Sequence, residues 1–141
     1  MRGIADTGFL VAFANRRDRH HRWAVALARG IEVPLLTCEA VLAETAFHLR
    51  SSGVVLSMID GGLIRIAFDC NAHLVRLAEL AQHYADRQPD LADLCLIRMS
   101  ELYPERVVAT VDREDFAIYR RNRRDVIPTV CPPKSTRRKR A

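Results

Sequence analysis

Two hydrophobic periods take turns along this chain, and no other feature narrows its fold as far. Short apolar runs read as strands: "GIAD" at the start, then "VPLLT", "LIRIAF", "RVVATV" and a last "VIPTV". Between them the apolar residues fall at helical spacing. "HHRWAVALARG" is one such stretch, ending at Gly30, and "CEAVLAETAFHLRSSG" is another, with its stop predicted at Gly53. "VVLSMIDGG" reads as a short helix. "NAHLVRLAELAQHYAD" is strongly periodic, with Asn71 as its predicted N-cap, and "DLADLCLIRMSELY" follows the break at Pro89. "DREDFAIYRR" supplies one more helical turn. Strands that alternate with helices pack as an α/β fold on a mainly parallel sheet. A chain of 141 residues is long enough for one such domain with one core.

In open parallel sheets, sites form beyond the carboxyl ends of the strands. Asp6 falls at that end of the first strand. Capping of the helix that starts near Gly8 accounts for it as well as a functional role does. Glu44 lies mid-helix, sharing a face with Ala40, Val41, Phe47 and His48 by i±3 and i±4 spacing. A carboxylate on an apolar face needs either an arginine or a metal. Asp90 and Asp93 stand one helical turn apart after Pro89. Asp90 reads best as the cap, while Asp93 is expected to face the sheet ends. Asp112 and Asp115 repeat the spacing after "VVATV", with Asp112 directly beyond a strand end and Asp115 supporting the turn. Asp6, Glu44, Asp93 and Asp112 are thus placed to converge at one rim of the sheet. Four neighbouring carboxylates repel one another and raise each other's pKa. Hard divalent cations, Mg²⁺ or Mn²⁺ rather than zinc, relieve that repulsion. Such a centre suits phosphodiester hydrolysis.

Charge and composition exclude several alternatives. The net charge of +5 lies in the tail "KSTRRKRA", whose five basic residues, subtracted from the 22 in the chain, leave 17 against 17 acidic residues. Both lysines, Lys134 and Lys139, belong to that tail. A receiver-type phosphorylation domain needs a lysine at its acidic rim, and the body has none. The P-loop and the Rossmann glycine fingerprint are absent. The cysteines, Cys38, Cys70, Cys95 and Cys131, lie far apart with no C-x-x-C pair, which fits reduced thiols in a cytoplasm. No apolar run approaches the ~20 residues of a membrane span, and Asp6 and the arginines from Arg16 interrupt the apolar start, so no signal peptide is expected.

The stretches "IADTGFLVAF", "CEAVLAETAFHL", "PDLADLCLIRMSE" and "VVATVDREDF" together resemble the PIN-domain ribonucleases of the VapC toxin type. The resemblance reaches from the N-terminus to about residue 120. It implies a PIN-like α/β/α sandwich over residues 1–131; residues 132–141, outside the family core, read from their composition as a basic, disordered tail. It implies a Mg²⁺- or Mn²⁺-dependent endoribonuclease in which Asp6, Glu44, Asp93 and Asp112 bind the metal, with Thr7 as a supporting hydroxyl; Asp90 and Asp115 are supporting residues by their place at the helix start and turn. "TVDREDF" offers two aspartates, so either Asp112 or Asp115 is the fourth ligand. The chain departs from the family pattern at Leu94, where many members have alanine. The family also implies RNA as substrate, a cognate antitoxin as partner and a homodimer, for which "NAHLVRLAELAQHYAD" is a candidate surface. The rival is a noncatalytic PIN-like module for RNA binding or complex formation.

Beside the first strand, "NRRDRHHRW" carries Arg16, Arg17, Arg19 and Arg22, candidates for contact with the RNA backbone. "YRRNRR" at 119–124 is a second basic cluster with the same expected purpose. Trp23 reads as a core or dimer residue. His20 and His21 rank low as general bases, since a metal-activated water needs no histidine.

Overall fold

The computed structural model describes residues 1–134. The order of elements is β1 (Arg2–Ala5), α1 (Thr7–Ala14), α2 (His21–Gly30), β2 (Glu32–Thr37), α3 (Glu39–Leu49), α4 (Ser52–Asp60), β3 (Ile64–Ile66), α5 (Leu74–His83), α6 (Leu91–Leu102), β4 (Val107–Ala109), α7 (Arg113–Ile118), a small hairpin of β5 (Arg120–Arg121) and β6 (Asp125–Val126), and β7 (Thr129–Val130). Short 3₁₀ turns cover Cys70–His73 and Ala85–Arg87. Five strands form one parallel sheet in the order β3-β2-β1-β4-β7. The mainly parallel α/β sandwich expected from the alternation is what the chain adopts.

That strand order fixes where a site can form. The connections β1→β2→β3 step one way across the sheet, and right-handed crossovers put α1 to α4 on one face. The chain then returns to β4 and steps the other way to β7, which puts α5 to α7 on the opposite face. The direction reverses between β1 and β4, which pair in register at Gly3–Val107, Ile4–Val108 and Ala5–Ala109. The carboxyl ends of those two strands therefore flank a crevice at the topological switch point.

The core lies on both faces of the sheet. Ile4, Leu35, Leu36, Ile64 and Val108 of the strands are buried, and so are Phe9, Leu10 and Val41 from the first helical layer and Leu96, Ile97, Met99, Phe116 and Tyr119 from the second. Each such large side chain contributes about 1.5–3 kcal/mol by leaving water. α6 buries residues nearly all round, as a central helix must.

Local departures from the sequence reading have simple causes. The second long helix stops at Leu49, not at Gly53, because Arg50 takes a left-handed conformation at φ 53° and Ser51 caps a new helix through Val54 N–H; Gly53 lies inside α4. Asp69, not Asn71, makes the cap before α5, accepting from Asn71 N–H and opening the 3₁₀ turn. Phe47 shares a face with Glu44 but is 79 % exposed, whereas Val41 on that face is fully buried, so only part of the face is core. In "YRRNRR", Arg120 donates to the carbonyls of Ala117 and Tyr119, and Arg121 donates to those of Ser100 and Pro104, so both guanidinium groups support the hairpin. All four cysteines are free, and the Cys70 and Cys95 sulfurs lie 3.5 Å apart. Among the described residues no helix is long and apolar enough to cross a membrane. Most of the predicted tail, residues 135–141, lies outside the described part.

Candidate functional site

At the switch point an open pocket of about 380 Å³ is lined by Asp6, Thr7, Glu44, Asp90, Asp93, Asp112 and Asp115, together with Gly8, Val11, Asp18, His20, His48 and Val111. Every acidic residue singled out in the sequence lines this one pocket. The carboxylates come from four places in the chain: the end of β1, the middle of α3, the start of α6 and the turn after β4. The close approach of the first and last is written in Gly8. A Cβ there would collide with the Val111 side chain, so only glycine lets the first turn of α1 press against the β4–α7 turn.

Capping and clustering coincide here. Asp6 is the N-cap of α1, its Oδ1 accepting from Thr7 N–H at 2.6 Å. Its Oδ2 accepts from the Thr110 hydroxyl at 2.6 Å, and Thr110 Oγ1 in turn accepts from Asp112 N–H at 2.9 Å. One buried hydroxyl thus ties Asp6 to the backbone of the turn that carries Asp112. Asp90 caps α6 by accepting from Asp93 N–H at 2.8 Å, and Asp112 caps α7 by accepting from Asp115 N–H at 3.1 Å. Asp93 is held otherwise: the phenol of Tyr119 donates to its Oδ2 at 3.0 Å. Glu44 accepts from the Thr7 hydroxyl at 3.0 Å, and among the described residues no arginine pairs with it. Asp115 instead forms an ion pair with Arg87 at 3.1 Å.

The electrostatics follow from burial and crowding. Burial pushes Asp6 up to about 6, against the hydrogen bonds from Thr110 and Thr7, which favour the carboxylate; Asp112 and Glu44 add repulsion. Burial and the Asp90 charge push Asp93 up to about 7. Glu44 is raised by burial and by Asp90, and Asp112 by burial and by Asp115. Tyr119 is driven well above the ordinary phenol range by burial and by the Asp93 charge, so its proton stays in place for Asp93.

Among the described residues no three His, Cys, Asp or Glu side chains stand together as a preformed cation cage. Beside His20 and His48, the pocket's donors are mostly carboxylates. Asp6, Glu44, Asp93 and Asp112 offer hard carboxylate oxygens, the set that suits Mg²⁺ or Mn²⁺.

Of the basic candidates, Arg19 and Arg22 border a second pocket adjoining the acidic one, whereas Arg16 and Arg17 line neither. Trp23, read as a core or dimer residue, is half-buried: it packs edge-on against Phe9, with ring centroids 5.9 Å apart, and its other side lines the second pocket. Sequence reasoning missed Thr110 and Tyr119. Thr110 had a local signal in its place between a strand and Asp112, but the reach of Tyr119 to Asp93 spans 26 residues and leaves no trace in spacing. Residues 4–122 match the model of the PIN domain. No curated protein matches the chain.

Proposed function

The chain belongs to the PIN-domain family, and on that premise we propose that it is a metal-dependent endoribonuclease whose centre is the acidic pocket at the switch point. The observation that carries this reading is the pair Asp6 and Asp93, two carboxyls in one pocket pushed up to about 6 and about 7 where the sheet order reverses. Carboxylates held at that cost are a signature of function, and a cation is what offsets it. In this reading Asp6, Glu44, Asp93 and Asp112 would hold Mg²⁺ or Mn²⁺. Asp112 is favoured over Asp115 as the fourth ligand, because Asp115 is already paired with Arg87.

A bound ion would supply charge neutralisation at the phosphate and activation of water. The chain's own residues do the positioning. Thr110 and Thr7 N–H fix the two oxygens of Asp6, Tyr119 fixes one oxygen of Asp93, and Thr7 Oγ1 orients Glu44. Asp90 caps α6 and so sets the direction in which Asp93 leaves the helix.

The finer reading is a toxin of a toxin–antitoxin pair acting in the cytoplasm: a basic residue of an antitoxin entering the pocket would pair with the carboxylates and displace the ion. A homodimer belongs to the same reading. Induced expression should then arrest growth, and co-expression of the cognate antitoxin should restore it.

The decisive experiment is cleavage of RNA by the purified chain with Mn²⁺, Mg²⁺ or EDTA. Asp6→Asn and Asp93→Asn should each reduce cleavage at least about 100-fold while leaving the fold intact, since asparagine keeps the cap at position 6. Wild-type rates in either variant would remove that residue from the centre. RNA bound but left uncut with every ion would turn the reading to a noncatalytic module.

A further inference from the structure

Beside the acidic pocket lies a second concavity of about 560 Å³, and its lining is of the opposite sign. Arg19 and Arg22 come from the α1–α2 turn and the start of α2, Arg113 from the first turn of α7, and Lys134 from the last described residue. His20 and Val111 line both pockets, so the two adjoin along a shared wall. Among the described residues no carboxylate lines the basic pocket. Some arginines elsewhere are neutralised, Arg76 and Arg98 by Glu101 and Arg87 by Asp115. Among the described residues Arg19, Arg22, Arg113 and Lys134 have no acidic partner within salt-bridge reach. Arg113 is oriented by a hydrogen bond from its Nη2 to the Pro132 carbonyl at 2.8 Å, which leaves its other N–H groups to solvent. Trp23 forms an aromatic part of the wall, edge-on to Phe9 behind it.

Unpaired guanidinium groups around a ligand-sized pocket fit phosphate oxygens. An aromatic wall fits a base, but only one that has left its pair. An unpaired strand can enter such a pocket, and a double helix cannot. We propose that the groove lined by Arg19, Arg22, Trp23, Arg113 and Lys134 holds the phosphates and a base of an unpaired RNA segment adjoining the bond in the acidic pocket. This rests on the nuclease reading for its orientation, but the groove itself is tested without cleavage. Of the first basic cluster, it selects Arg19 and Arg22 over Arg16 and Arg17, and it adds Arg113, which the sequence did not mark.

The chain has a single tryptophan, so its fluorescence reports directly on the groove. The full chain in EDTA is titrated with a short single-stranded RNA and with the same sequence as a duplex, across a salt series. The single strand should quench Trp23 and bind more tightly than the duplex. Arg22→Ala and Arg113→Ala should each weaken binding roughly 3- to 10-fold and lower the salt slope by about 0.7. Arg29→Ala, on an exposed residue of the same helix outside the groove, should bind as the wild type does. Quenching without any cleavage in Mn²⁺ would end the nuclease reading and keep the groove. Cleavage with Arg22→Ala and Arg113→Ala binding as wild type would end the groove and leave it to an acidic protein partner. No RNA binding at all, or equal binding of the duplex through the same arginines, would also overturn it.

Discussion

The phenol of Tyr119 donates a hydrogen bond to Oδ2 of Asp93 across 3.0 Å, joining the end of α7 to the start of α6. The bond favours the charged form of Asp93 and so works against the burial and the Asp90 charge that push this carboxyl up to about 7.

Tyr119→Phe should therefore leave the fold in place and move the chemistry. The ring keeps its packing against Phe116 and Tyr84, at 5.5 and 5.1 Å between centroids. Asp93 loses its donor and its pKa rises further. The acid limb of the cleavage profile should shift up by about one pH unit, with a severalfold loss of rate near pH 6.5 and little loss at pH 8.5. A pH–rate profile checks this, and an unmoved limb would detach Tyr119 from the site.

Without a divalent ion, stability should fall as pH rises across the neutral range. Asp6 and Asp93 are raised from 3.8 to about 6 and about 7, so their contribution is whole below pH 3.8 and is lost as pH climbs through the folded values. Allowing for solvent at Asp93, the loss by pH 8 is on the order of 2–3 kcal/mol. Melting curves at pH 5 to 8 should show it, the fall should shrink in Asp93→Asn, and Mn²⁺ should recover stability most at the alkaline end. A slope identical in the wild type and Asp93→Asn would contradict it.

Thr110 is fully buried and serves both Asp6 and Asp112. Thr110→Val keeps the shape but strips Asp6 Oδ2 of its donor, at a cost of about 1–3 kcal/mol, and raises the Asp6 pKa. Thr110→Ser keeps the hydroxyl and should recover most of both effects. Denaturant midpoints for the pair decide whether the hydroxyl or the methyl matters.

Much of this was legible from one strand of residues and much was not. Asp6, Asp90 and Asp112 announce themselves because a cap is a local event, and their place after a strand or a proline is visible in order alone. Arg50 hides the end of α3, since nothing in its type foretells a left-handed φ of 53°. Phe47 misleads, because helical spacing says which residues share a face and not whether that face is covered. Tyr119 and Arg113 act across the fold, where only tertiary packing brings them to their partners.

Glu101 tests stability apart from the site. Its side chain is 2 % exposed, receives Arg76 at 2.7 and 3.0 Å and Arg98 at 3.2 Å, and accepts from Asn122 N–H. Burial pushes its pKa up, but these donors outweigh it and hold the carboxyl below its ordinary value. The stability it gives is therefore present above pH 4.5 and lost as pH falls through the folded value. Glu101→Ala leaves Arg98 without a carboxylate partner and Arg76 with only the more exposed Glu79, and should cost about 3 kcal/mol, with cleavage below the lowered Tm unchanged. Urea midpoints and rates measured in the cold separate the two effects.

The caps carry a consequence for how such a chain can change. At Asp6, Asp90 and Asp112 the group that starts a helix is also the charge of the pocket. A single G-to-A transition turns an aspartate codon into an asparagine codon, and asparagine caps a helix as well as aspartate does. One base change can thus erase the charge and spare the architecture, whereas alanine would damage both. Inert descendants of this fold should accumulate asparagine at these helix starts, and alanine scanning there will report lost folding under the name of lost chemistry.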